Sequence, residues 1–129
     1  MIISPKKILL VHTNPEERGR LAIMLSRFGH EVKFSSGKGC PDQLCRTNDL
    51  VIVDDKLSGQ SGLDFISQIS NKQCEKVIYL SSLPYLVAPM ELHNLNIYEW
   101  ITKPVDPLNL AVVVCDYFVE TTGEFVLHD

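Results

Sequence analysis

Leu50-Val51-Ile52-Val53-Asp54 is the stretch on which the fold turns. Four apolar residues bounded by turn formers read as a strand buried on both faces. The run ends on a carboxylate, and the turn-forming segment Ser58-Gly59-Gln60-Ser61-Gly62 follows shortly after. A charged side chain at the C-terminal tip of such a strand stands where open α/β sheets place their chemistry.

The same pattern repeats on both sides. Ile8-Leu9-Leu10-Val11 is a first strand, and Asn14-Pro15-Glu16-Glu17 then starts a helix. Asn14 serves as N-cap, Pro15 takes the first helical position and two acids occupy the first turn. Leu21, Met24, Leu25 and Phe28 form its apolar face, and Gly29 ends it. Glu31-Val32-Lys33-Phe34 alternates polar and apolar, as an edge strand half open to water does. A short second helix is expected from Pro41 to Arg46. Ser61-Gly62-Leu63-Asp64 resembles a capping box and opens a third helix with Leu63, Ile66 and Ile69 inward.

Val77-Ile78-Tyr79-Leu80 is a fourth strand ending at Ser81-Ser82. Pro84 and Pro89 interrupt the stretch from Leu83 to Leu95, so its helix is the least defined. A fifth strand is expected from Ile97 to Ile101, leading into Thr102-Lys103-Pro104. Asp106-Pro107 caps a last helix running to about Glu120. Five strand-then-helix units predict an α/β protein, a doubly wound parallel five-stranded sheet with right-handed connections. With the amphipathic second strand at an edge, the strand order is 2-1-3-4-5, the flavodoxin-like arrangement. Residues 1–120 are expected to form this domain, and 121–129 a tail or the start of a linker.

Composition narrows the function. The chain has 129 residues, 45% hydrophobic and 22% charged, with a net charge of -4 from 12 basic and 16 acidic residues. That fits a single globular domain. No dense basic cluster exists to neutralise phosphates, so nucleic acid is not an expected partner. No apolar run approaches the roughly 20 residues that span a bilayer, and no signal-peptide pattern opens the chain. No membrane partner is expected, and the cytoplasm is the expected location. Cys40, Cys45, Cys74 and Cys115 match neither a zinc nor a thioredoxin-type spacing and are expected to be reduced thiols.

In this sheet order the tips of the first, third, fourth and fifth strands converge. They carry His12-Thr13, Asp54, Ser81 and Lys103-Pro104. A carboxylate, a hydroxyl and an ammonium on neighbouring strands can surround one small anion. The carboxylate would act as nucleophile, with the other two donating to the oxygens.

Over Lys7 to about Glu120 the chain resembles the receiver domains of two-component response regulators. The resemblance rests on Leu50–Asp54 with Gly62 eight residues later, on Ile101-Thr102-Lys103-Pro104, and on Gly29-His30-Glu31-Val32. It implies a signalling module rather than an enzyme, working with a histidine kinase or another signalling protein. Asp54 matches the phospho-acceptor, Ser81 the phosphate-bonding hydroxyl, Lys103 its lysine partner and Trp100 the switch aromatic. Pro104 matches a proline whose preceding peptide bond is cis in the family. The family's partner and dimer surface, made by the fourth helix, fifth strand and fifth helix, falls here on Tyr85-Leu86-Val87, Tyr98, Trp100 and the apolar last helix.

One part of the pattern is missing. Receivers end the first strand with two acids that hold Mg²⁺ with the acceptor, and here His12 and Thr13 stand there. Mg²⁺ wants oxygen ligands including one or two carboxylates, and Asp54 alone remains. Asp55 is expected to point to the opposite face, and Glu16 and Glu17 to be solvated helix-start acids. The expectation is no cofactor, and phosphate-independent or weak phosphate-dependent switching. A fully working Mg²⁺-dependent acceptor with unusual ligation is the alternative. A small flavin or nucleotide enzyme on the same fold fits less well. Thr13–Glu17 lacks phosphate-cradling glycines, and Gly59-Gln60-Ser61-Gly62 does not match a nucleophile elbow.

Overall fold

The computed structural model describes residues 5–88, 90 and 94–123. In chain order the elements are β1 (Lys7–Val11), α1 (Pro15–Arg27), β2 (Glu31–Ser35), α2 (Pro41–Arg46), β3 (Leu50–Asp54), β4 (Lys56–Leu57) and β5 (Gln60–Ser61). They continue with α3 (Gly62–Ser67), α4 (Asn71–Cys74), β6 (Val77–Ser81), a 3₁₀ turn (Tyr85–Val87), β7 (Glu99–Thr102) and α5 (Pro107–Thr122).

The main sheet is parallel, in the order β2-β1-β3-β6-β7. With the small β4–β5 pair set aside, this is the expected 2-1-3-4-5 order. Every residue of β3 and β6 is buried, because helices cover both faces and each strand has neighbours on both sides. Alternation splits the core in two. Ile8, Leu10, Leu50, Ile52, Ile78, Leu80 and Ile101 face one way, against Leu21 and Leu25 of α1 and Leu110, Val114 and Phe118 of α5. Leu9, Val11, Val51, Val53, Val77 and Tyr79 face the other, against Phe65 and Ile66 of α3 and the buried thiols Cys45 and Cys74. The described cysteines are all free.

Local signals act as expected. The Asn14 side chain accepts from the Glu17 backbone N–H at 3.1 Å, and Gly29 follows α1 at φ 91°, where a side chain would be strained. At the β2 edge, Phe34 is half exposed and lies under the Arg18 guanidinium, 4.7 Å from its ring centroid.

The structure departs from the expected elements in several places. The last strand starts at Glu99, not Ile97, and the last helix runs to Thr122, past Glu120. β4 and β5 form an antiparallel hairpin turning on Ser58-Gly59. That two-residue turn signal was present in the sequence. α4 is a single short turn with no periodicity to announce it. Residues 89 and 91–93, within the poorly defined stretch, and 124–129, within the expected tail, lie outside the described residues.

Candidate functional site

The tips of β1, β3 and β7 and the start of α1 enclose a cleft of about 680 Å³. It is lined by His12, Thr13, Glu17, Arg20, Asp54, Lys56, Ser82, Lys103 and Pro104, among others. Asp54 is the last residue of β3 and is only 3% exposed. Its Oδ1 stands 2.7 Å from Lys103 Nζ, and its Oδ2 accepts from the Lys56 backbone N–H at 3.1 Å. Lys103 follows β7, ahead of a cis peptide bond to Pro104.

The expectation that Asp55 turns away is overturned. Its Oδ1 lies 2.7 Å from the same ammonium, and its Oδ2 accepts from the Ser82 backbone N–H at 2.8 Å. β3 has ended at Asp54, so the alternation that would have sent Asp55 to the far face no longer holds. One lysine therefore serves two adjacent carboxylates. Burial pulls Lys103 down, but its bonds to Asp54 and Asp55 outweigh that and raise its pKa. Burial pushes Asp55 up, yet the Lys103 and Ser82 bonds prevail and hold it below the usual carboxylate range.

His12 is buried beside Asp54. Its Nδ1 accepts from the Asn14 backbone N–H at 3.1 Å, which assigns the imidazole proton to Nε2. That nitrogen lies 3.5 Å from Asp54 Oδ1, too far for a strong hydrogen bond. Burial lowers the His12 pKa and Lys103 adds to this, while Asp54 opposes both. The half-buried Thr13 points its hydroxyl at the Lys56 carbonyl, 3.4 Å away. Glu17 pairs with Arg20 at 2.8 Å on the helix surface rather than entering the Asp54 cluster.

Ser81 is buried at the end of β6, and its oxygen accepts from the Leu83 backbone N–H at 3.0 Å. Trp100 is half buried on β7. Its indole N–H donates to the Leu83 carbonyl at 3.0 Å, and its ring meets Tyr79 and Tyr85 edge-on at 5.0 and 5.4 Å. The structure thus brings His12, Asp54 and Lys103 into one cluster and places Ser81 and Trp100 on the segment beside it. Asp55 and Ser82 were missed by sequence reasoning. The repeated acid at a strand end was the available signal.

Gly62 opens α3 against this cluster. A Cβ there would collide with the Asp54 carbonyl oxygen and come within 2.8 Å of Asp55 Cα and of the Tyr79 ring. Its absence lets the helix start sit directly on the tip of β3.

No family model matches the chain, and no curated protein matches it. Solved structures do. A CheY-like response regulator receiver domain protein from Methanospirillum hungatei is 22% identical, with a TM-score of 0.72, over 91% of this chain and 96% of that one. The beryllofluoride-activated DrrB receiver domain is 23% identical, with a TM-score of 0.70, over 88% and 97%. The receiver domain of a Pseudomonas aeruginosa sensor histidine kinase is 19% identical, with a TM-score of 0.65, over 88% and 98%. That structure holds magnesium in its active-site cleft. The fold of this chain is the receiver fold.

The receiver resemblance implies Mg²⁺ beside Asp54, held with two acids at the end of the first strand, and this chain has His12 and Thr13 at those positions. Among the described residues no group of three or more His, Cys, Asp or Glu is placed to hold a metal ion. His12 offers an N–H rather than a lone pair, because Nδ1 is already committed to Asn14. Metal-binding histidines show the reverse arrangement, with the second nitrogen donating.

His12 also makes the fold acid-sensitive. His30, buried against Phe118 with neither ring nitrogen hydrogen-bonded among the described residues, likewise has a lowered pKa, through burial first and Lys6 second. Both imidazoles stay neutral in the fold while the unfolded chain takes up protons near pH 6.5. Stability is therefore full above that pH and falls as pH drops through the depressed folded-state values. The urea midpoint should be lower at about pH 5.5 than at about pH 7.5. Equal midpoints would contradict neutral imidazoles.

Proposed function

We propose that this chain is the receiver module of a two-component signalling protein that switches partners with little or no dependence on phosphate. The observation that carries this reading is His12. The corner where receivers place metal-holding acids has a buried, neutral imidazole with its N–H toward Asp54. Phosphoryl transfer to a carboxylate brings two anions together, and the metal normally neutralises the charge that builds up. Losing a preorganised stabiliser of that kind typically costs about 100- to 1,000-fold in rate. Asp54, in the acceptor position, then serves chiefly as a partner of Lys103, with Ser81 and Trp100 in the positions of the family's phosphate-bonding hydroxyl and switch aromatic.

Incubation with acetyl phosphate and Mg²⁺ tests this by mass spectrometry. No phosphoryl gain is expected, and the fluorescence of Trp100, the sole tryptophan, should not respond to millimolar Mg²⁺. A gain of one phosphoryl group that disappears in Asp54→Asn would overturn the reading.

The partner, a histidine kinase or another signalling protein, would dock on the face around the 3₁₀ turn, β7 and α5. Leu83, Tyr85, Leu86, Val87 and Met90 are exposed there, and Leu108, Val112 and Val119 are exposed along α5. Homodimerisation through this face is part of the proposal. Val113 packs partly against the core, so Val112→Glu is the informative change. It should abolish self-association at high protein concentration. A wild type already monomeric there would count against a dimer.

A further inference from the structure

Apart from the His12 Nε2–H, 3.5 Å from Oδ1 and without a hydrogen-bond partner among the described residues, the donors around Asp54 are engaged. Lys103 Nζ meets Asp54 and Asp55, each at 2.7 Å; Lys56 N donates to Asp54; and Ser82 N donates to Asp55 Oδ2 at 2.8 Å. Lys103 and Ser82 line the same cleft as Asp54. They are the ammonium and the backbone N–H that an anion carried on Asp54 would call upon. Asp55 holds both, one with each carboxylate oxygen. Its position after the end of β3 lets it reach across to the tips of β6 and β7.

We infer that Asp55 is the resident anion of this site, a built-in substitute for an external one, which clamps the tips of β6 and β7 to β3. The inference rests on the phosphate-independent reading above and supplies its physical cause. The clamp continues outward through hydrogen bonds. Ser82 is followed by Leu83, whose N–H is held by the Ser81 oxygen and whose carbonyl takes the Trp100 indole N–H. Trp100 lies on β7, three residues before Lys103. Asp55, Ser82, Leu83, Trp100 and Lys103 therefore form a closed circuit, with the exposed turn Tyr85–Val87 hanging from it and Tyr85 against the Trp100 ring. In this arrangement Asp55, rather than a phosphoryl group, sets the state of the docking face. Asp55 is a positioning residue acting through Lys103 and Ser82.

Asp55→Asn keeps the shape and removes the charge, and amide NMR of the full chain reads the result. The Ser82 backbone amide and the Trp100 indole N–H should both shift, Ser82 upfield as it loses a charged acceptor. Asp54→Asn should leave Ser82 in place. Unmoved Ser82 and Trp100 signals in a folded Asp55→Asn would overturn the clamp. So would an equal Ser82 shift in Asp54→Asn. If Asp55→Asn does not fold, the wild-type Ser82 amide decides. A low-field, slowly exchanging signal supports the clamp, and an upfield, fast-exchanging one overturns it. Phosphoryl gain on wild-type Asp54 is a separate result. It would sink the phosphate-independent reading, whereas a silent Asp55→Asn would sink only the clamp.

Discussion

Lys103→Met should destabilise the fold by about 3 kcal/mol, read as a lowered urea midpoint with an unchanged slope. Asp54 is only 3% exposed and faces the ammonium at 2.7 Å, and Asp55 lies at the same distance. Methionine fills a similar volume but leaves two adjacent carboxylates without their shared cation. Removing one partner of a buried ion pair is costly because the remaining charge has lost both water and counter-ion. The double variant Asp54→Asn/Lys103→Met should accordingly recover part of the loss, since the more deeply buried charge is gone. If the double variant loses as much as the sum of the two single ones, the ion pair is not what holds these strand tips together.

Gly62→Ala should lower the melting temperature on the order of 10 °C, corresponding to about 2–3 kcal/mol. The added methyl has no flexible neighbour to displace. It would meet the Asp54 carbonyl oxygen, the Asp55 backbone and the Tyr79 ring. The hydrogen bond from Gly62 N to the Asp55 carbonyl, 2.8 Å, holds the helix start against β3. Lifting α3 to make room would withdraw Phe65 and Ile66, both fully buried, from the sheet. A melting temperature within about 2 °C of wild type would show that the loop absorbs the methyl without strain.

The two variants probe a region that was only partly legible in the sequence. Leu50–Asp54 announced a buried central strand because its apolar run is unbroken and its end is marked by turn formers. Glu31–Phe34 announced an edge because it alternates. Asn14 and Asp106 announced helix starts because capping is a local interaction, satisfied within three residues. The β4–β5 hairpin and α4 were not read, since segments of two to four residues carry almost no periodicity. Asp55 was misread for a related reason. A rule that holds inside a strand was extended one residue past its end.

The sequence by itself determined the strand-and-helix alternation, the order of the sheet and the convergence of His12, Asp54 and Lys103 at one edge. These follow from hydrophobic period, caps and chain connectivity, which are local or topological. Only the tertiary structure decided how the charges at that edge are shared. Which nitrogen of His12 faces Asp54 depends on the Asn14 backbone, and which carboxylate takes Ser82 depends on where β3 ends relative to β6. The second bond joins residues 27 apart in the chain, and both turn on distances of an ångström or less. No pattern of residue types along the chain specifies them.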